Sequence, residues 1–141
     1  MNLNIEFQKG KPAHNEMQYL EDMINFYGQK KCEVVRNCAS YSFVIRDEAG
    51  KVYGALVCGQ TFDEFKVSFL CVDESLRGQG YGGKLVKKAE EQAKKLGFKY
   101  ITLTTLNFQA PEFYKKMGFE LEFIRENKNP MLTKYFFIKR F

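Results

Sequence analysis

The segment FLCVDESLRGQGYGGKLVKKAEEQAKKLG, residues 69–97, constrains the fold more than any other. An apolar strand passes through a short polar turn into a cluster of glycines, and the glycines open an amphipathic helix. Leu85, Val86, Ala89, Ala93 and Leu96 share one face of that helix. Glu90 with Lys94, and Glu91 with Lys95, are spaced i,i+4 as ion pairs for the other face. Gly97 follows where helices commonly stop. Free N–H groups and the positive end of the helix dipole point the same way at such a start, which makes an anion site. Gly78, Gly80, Gly82 and Gly83 allow close approach of a ligand to backbone and accept positive φ. Arg77 adds a fixed charge with several donors. Glycines at a helix start can also make nothing more than a tight turn. The arginine three residues before Gly80 and the apolar strand ahead favour the anion site.

Two other phosphate-binding readings of these glycines fail. An ATP-type loop needs lysine followed by serine or threonine, and Gly83-Lys84 is followed by Leu85. Gly78, Gly80 and Gly83 spell GxGxxG, but a dinucleotide fingerprint needs a parallel βαβ unit and an acid about 20 residues on. Here the unit follows antiparallel strands, and Lys99-Tyr100 stands near where the acid belongs.

The chain has 22 Lys and Arg against 17 Asp and Glu, a net charge of +5. These basic residues are scattered and form no arm or reader motif, so nucleic acid is not an expected partner. The surplus fits a solvated surface, or a rim that attracts an anionic phosphorylated ligand. Cys32, Cys38, Cys58 and Cys71 form no CxxC pair and His14 is the sole histidine, so no metal site is expected. A reduced, cytoplasmic protein is the expectation. The first residues carry no signal-peptide pattern, and no apolar run approaches the ~20 residues of a membrane span. With 14 Phe and 8 Tyr in 141 residues, and no linker or repeat, one domain over residues 1–141 with a sizeable aromatic core is expected.

Residues 3–8 alternate apolar and polar and read as a short strand. Met17, Leu20, Met23, Ile24 and Tyr27 recur at helical spacing over residues 16–27, with Gly28 as a stop signal. Residues 29–39 are open between a second short helix and a loop. Residues 41–46, 52–61 and 66–72 read as an antiparallel meander, turned at Asp47-Glu48-Ala49-Gly50 and at Asp63-Glu64. A buried-type strand over residues 100–106 follows the long helix. Pro111 starts a short helix that Gly118 closes, and strands near residues 119–125 and 133–139 finish the chain. The class is α/β with a mixed, mainly antiparallel sheet.

Arg77-Gly78-Gln79-Gly80-Tyr81-Gly82 resembles the (Q/R)xxGx(G/A) acetyl-CoA signature of the GNAT acetyltransferases. The later run from Asn107 through Ala110 and Tyr114 to Gly118-Phe119 is similar to the family's NxxAxx(L/F)YxxxGF segment. Together the two motifs span about a third of the chain. The resemblance implies a GNAT-like fold whose central strands splay after Val72, leaving a cleft for acetyl-CoA beside the strand at residues 100–106. It implies that the backbone of Leu70, Cys71 and Val72 holds the acetyl carbonyl and pantetheine. The amides of Arg77, Gly78, Gln79, Gly80, Tyr81, Gly82 and Gly83 would cradle the pyrophosphate. Asn107 would touch the pantetheine arm, and Tyr114 would be the general acid at the sulfur.

The chemistry this implies is direct attack of an amine on the thioester in a ternary complex. A backbone N–H near Val72 would stabilise the oxyanion and Tyr114 would protonate the departing thiolate. Cys71 sits in the acetyl strand, but without a histidine nearby it is not expected as a nucleophile. Many relatives carry a glutamate base on the strand before the glycine loop, and Lys66-Val67-Ser68-Phe69-Leu70-Cys71-Val72 has no carboxylate. Asp63, Glu64, Asp73 or a water chain remain as routes for the amine proton; His14 is not favoured. The acceptor, an amine of a small molecule or peptide, is not legible. An alternative is an acyl-CoA-binding regulatory module without turnover. The aromatic C-terminus, Tyr135-Phe136-Phe137 with Phe141, together with family habit, points to a homodimer.

Overall fold

The computed structural model describes residues 1–32 and 37–141. They fall into two compact units, Met1–Arg36 and Asn37–Phe141. The first carries α1, His14–Cys32. Its entry is fixed by the Glu16 carboxylate, which accepts the Ala13 N–H at 2.9 Å. Gly28 does not stop this helix. A glycine inside a helix costs only about 1 kcal/mol relative to alanine, and the residues after it, Gln29, Lys30 and Lys31, are good helix formers. The two lysines also complement the negative end of the helix dipole. No strand forms over residues 3–8: alternation supplies a face, but a strand also needs a ladder to satisfy its backbone, and these residues have none. Of the undecided stretch 29–39, residues 29–32 complete α1 and residues 38–39 open a strand, while residues 33–36 lie outside the described residues.

The second unit is a six-stranded sheet with two helices. Its elements are β1 (Cys38–Arg46), β2 (Val52–Thr61), β3 (Glu64–Val72), α2 (Tyr81–Lys95), β4 (Tyr100–Leu106), α3 (Pro111–Lys116), β5 (Glu120–Arg125) and β6 (Lys134–Arg140). The sheet order is β1-β2-β3-β4-β6-β5. Only β3 and β4 pair in parallel; the other neighbours are antiparallel. The mixed α/β architecture thus matches the expectation from sequence.

Alternation along the strands sends Leu56 and Cys58 of β2, Phe65 and Val67 of β3, Ile101 and Leu103 of β4, and Phe137 of β6 into one core. The apolar stripe of α2, Leu85, Val86, Ala89 and Ala93, closes over them. Gly54 is required where β2 pairs with the end of β3, opposite Val72, because a Cβ there would stand 2.8 Å from the Cys71 carbonyl oxygen. Glu90 departs from the expected solvent pairing with Lys94. It is buried, and Lys139 Nζ on β6 holds it at 2.9 Å while also donating to the Met117 carbonyl at 2.8 Å. One lysine therefore ties α2, β6 and the end of α3 together.

Candidate active site

The two parallel strands part early. Their pairing consists of Phe65 with Ile101, Lys66 with Thr102 and Val67 with Leu103, and it ends there. The cause lies on the other edge of β3. Val57 pairs with Phe69 and Cys58 with Val67, so Ser68 is an extra residue in a β-bulge. Its hydroxyl donates to the Val57 carbonyl at 3.1 Å. A bulge bends the strand that carries it, and here the bend turns the rest of β3 away from β4. The parting begins after Val67 rather than after Val72, which lengthens the expected opening by the whole of residues 68–72.

A cleft of about 950 Å³ fills the opening. One wall is the second half of β3, whose unpaired backbone can be assigned. The Asp73 amide donates to the Tyr53 carbonyl of β2 at 2.7 Å, and the Cys71 carbonyl also faces β2. Successive residues of a strand point opposite ways, so the N–H groups of Leu70 and Val72 face the cleft. The glycine loop closes one end. Gly78 and Gly80 adopt φ of 75° and 84°, a region that disfavours any side chain. Gly80 is the N-cap of α2 and brings no side-chain hydrogen bond to it. The first intrahelical bond runs from Lys84 N–H to Gly80 O, so the N–H groups of Tyr81, Gly82 and Gly83 have no partner within the helix. Arg77 lies beside them, its Nε donating to the Val72 carbonyl at 3.2 Å. The far side is the turn after β4, pinned by Gln109, which accepts the Leu106 N–H at 2.9 Å, together with Tyr114 of α3, which lines the cleft.

A strand edge, a row of free amides at a helix start and a buried phenol in one cleft are what an extended thioester with a pyrophosphate would need. The family model described as the acetyltransferase (GNAT) family matches residues 5–119. The chain belongs to the GNAT family. It is 32% identical over 93 residues to the blasticidin-S acetyltransferase of Streptomyces morookaense, covering 65% of this chain and 68% of that protein. A solved acetyltransferase from Bacillus cereus is 32% identical with a TM-score of 0.79, over 96% of this chain and 98% of that one. A GNAT acetyltransferase from Elizabethkingia anophelis with acetyl-CoA bound shares the fold, with a TM-score of 0.63 at 18% identity over 96% and 95% of the two chains. The protein is an acyl-CoA-dependent acetyltransferase, of a family that uses acetyl-CoA.

Most of the residues singled out in the GNAT motifs converge. Leu70, Cys71, Val72, Arg77, Gly78, Gly80, Tyr81, Gly82, Gly83 and Tyr114 all line the cleft. Gln79 and Asn107 do not. The Gln79 amide turns back to donate to the Ser75 carbonyl at 3.1 Å. Asn107 stands at the rim, its N–H donating to the Thr133 carbonyl at 2.9 Å, next to Phe108, which does line the cleft. Sequence reading missed Phe108, Gln109, Phe113 and Thr105 of the far wall. Phe108, Gln109 and Phe113 fall inside the second motif, which was the available signal. Nothing local in the sequence marks the Ser68 bulge.

Tyr114 is buried. Its ring meets Phe113, Phe119 and Phe137 at centroid distances of 5.1, 5.8 and 6.2 Å. The phenol is protonated at neutral pH even at its ordinary value of 10.0, and burial raises it further. Among the described residues no side-chain hydrogen bond engages its hydroxyl. The three acids kept open as bases sit elsewhere. Asp73 caps the 3₁₀ turn at Glu74–Leu76, taking the Ser75 hydroxyl at 2.6 Å and amide at 2.9 Å. These Ser75 hydrogen bonds, helped by the charges of Lys51 and Arg77, hold its carboxyl below the usual range. Glu64 accepts the Thr102 hydroxyl at 2.8 Å at the opposite end of β3, next to Asp63. None of the three is among the residues that line the cleft, and neither is any other carboxylate or histidine among the described residues.

Proposed function

We propose that the protein transfers an acetyl group from acetyl-CoA to an amine of a small molecule or peptide, by direct attack in a ternary complex. The observation that carries this reading is the cleft where β3 leaves β4, with free strand amides on one wall and free helix amides at one end. Pantetheine would run along β3, its amides pairing with the strand as another strand would. The pyrophosphate would rest on the N–H groups of the loop from Arg77 to Gly83, Gln79 included through its backbone, with Arg77 supplying positive charge. Asn107 would contact the pantetheine arm from the rim.

Attack of the amine forms the new C–N bond and places negative charge on the thioester oxygen. The N–H of Leu70 or Val72 is oriented to receive it. Collapse breaks the C–S bond, and Tyr114 gives its proton to the leaving thiolate. Asp63, Glu64, Asp73 or a water chain would take the amine proton; that none of these three acids lines the cleft favours the water chain. The name of the blasticidin-S relative favours a small-molecule acceptor over a peptide. The test is thiol release from acetyl-CoA with a panel of small amines and peptide N-termini, analysed with both substrates varied. Intersecting initial-rate lines support a ternary complex. Parallel lines, or acetyl label retained on the protein after gel filtration, refute it.

A further inference from the structure

We propose a second ligand site, at the end of the sheet opposite the glycine loop, that takes a neutral, flat aromatic molecule carrying a carbonyl or ring-nitrogen acceptor. The site is a cavity of about 480 Å³ between the β2–β3 turn and the connection from α2 to β4. None of the residues that line it lines the acetyltransfer cleft.

The polar anchor is Gln60 of β2, only 6% exposed. The Tyr41 hydroxyl donates to Gln60 Oε1 at 2.9 Å, which fixes the carboxamide. The other end, Nε2, has no partner among the described residues, and the side chain lines the cavity. Solvent in the cavity reaches Nε2, and a fixed amide at an open cavity is a position where an acceptor atom of a guest can take the place of that water. The walls are Tyr41, Phe62, Phe98 and Tyr100. Two of these rings are held from behind by Phe65, Tyr41 stacked at 5.9 Å and Phe98 tilted at 5.3 Å. Rings fixed in this way favour a planar guest.

Phe62 adds a further mark. It is the one non-glycine residue with positive φ among the described residues, at 53°, and a bulky side chain there is strained. Glycine or asparagine would serve the turn better; the aromatic ring instead completes the wall. The rim carries one acid, Asp63, and one base, Lys99, so no net charge draws an ion. Aromatic walls, one donor and a balanced rim specify a neutral guest with a single good acceptor.

Benzamide is a suitable probe, applied to the full chain and followed by ligand-observed and amide-shift NMR. The expected result is saturable binding that shifts the amides around Gln60 and Phe98 and is not displaced by CoA. Gln60→Leu keeps the volume and removes the donor, and should weaken benzamide roughly fivefold, the net worth of one hydrogen bond. Phe62→Gly relieves the strained φ while removing a wall, so it folds and should weaken benzamide as well. CoA affinity should be unchanged in both variants. No shift at the cavity up to roughly 10 mM, the weak end for so small a ligand, overturns the proposal. So does displacement by CoA, or full retention of binding in both variants.

Discussion

Replacing Tyr114 by phenylalanine separates the two things this residue does. The ring fills a pocket formed by Phe113, Phe119 and Phe137, and Tyr114→Phe keeps every one of those contacts. The hydroxyl has no side-chain partner among the described residues, so its removal strands no donor and leaves no cavity. Folding stability should therefore change by less than about 0.5 kcal/mol. CoA affinity should also hold, since the glycine loop is untouched. Turnover should not. In the proposed mechanism the leaving thiolate takes its proton from this phenol, which burial raises above its ordinary value. A positioned acid is worth roughly 10²-fold or more, about 3 kcal/mol of barrier. The loss belongs to the transition state alone, so kcat and kcat/KM should fall together. Two controls sharpen the result. Tyr114→Ala should cost about 3–5 kcal/mol of stability through the cavity it leaves, as measured by urea denaturation. An acetyl thioester with a more acidic thiol needs less protonation and should recover part of the lost rate in Tyr114→Phe. Steady-state kinetics at saturating amine decide the matter. A folded Tyr114→Phe variant with wild-type kcat would refute the acid role and leave Tyr114 as packing.

Other variants test the remaining parts of the site and its frame. At Gly80 a Cβ meets nothing within 4 Å, so Gly80→Ala should lose only about 1 kcal/mol of stability to the positive φ, whereas Gly80→Asp also sets a negative charge among the free amides. Calorimetry should show CoA affinity at least roughly tenfold weaker in the aspartate variant than in the alanine one. Lys139→Met strands the buried Glu90 carboxylate and should cost about 3 kcal/mol in urea denaturation, with Glu90→Gln milder. Burial pushes the Cys58 thiol up to about 11 from 9.0. The unfolded chain thus releases its proton first, and stability should fall by about 2 kcal/mol as pH rises from 9 to 11, a loss absent in Cys58→Ala. With no carboxylate or histidine among the described residues that line the cleft, kcat/KM should climb with unit slope toward the acceptor's own pKa, about 10.4 for an alkyl amine. A plateau beginning near pH 6 or 7 would instead demand a base on the protein.

Local signals were legible where a residue's job is set by its own backbone. Gly78 and Gly80 read as positions for positive φ and take it. Pro111 and Gly118 read as the ends of a short helix and bracket α3. The meander was legible because alternation and turns are local as well. What escaped depends on partners far along the chain. The Ser68 bulge exists because β2 and β3 differ by one residue in register, and no property of serine announces it. Glu90 sits at ordinary i,i+4 spacing from Lys94, yet Lys139, 49 residues away, turns it inward. Gln60 lies in a strand pattern where a polar residue signals the solvent face, and the structure buries it. The splay was placed too late for the same reason: the sequence of β3 is continuous, and only its pairing is not.

The bulge also bears on how the cleft stays available. An unpaired strand edge ordinarily invites another strand, which is why proteins cover or charge such edges. Here the free edge of β3 lies inside the sheet, flanked by β4, with the glycine loop at one end and α3 on the far side. A second polypeptide strand would have to bring its own side chains into that gap, against Phe108 and Phe113. A pantetheine arm carries amides at strand-like spacing on a chain without side branches of that kind, so it can use the edge where a peptide is excluded. On the proposed binding mode, the selectivity for acetyl-CoA therefore begins with Ser68, which contributes no charge and no catalytic group. Its role is to stop β3 and β4 from satisfying each other.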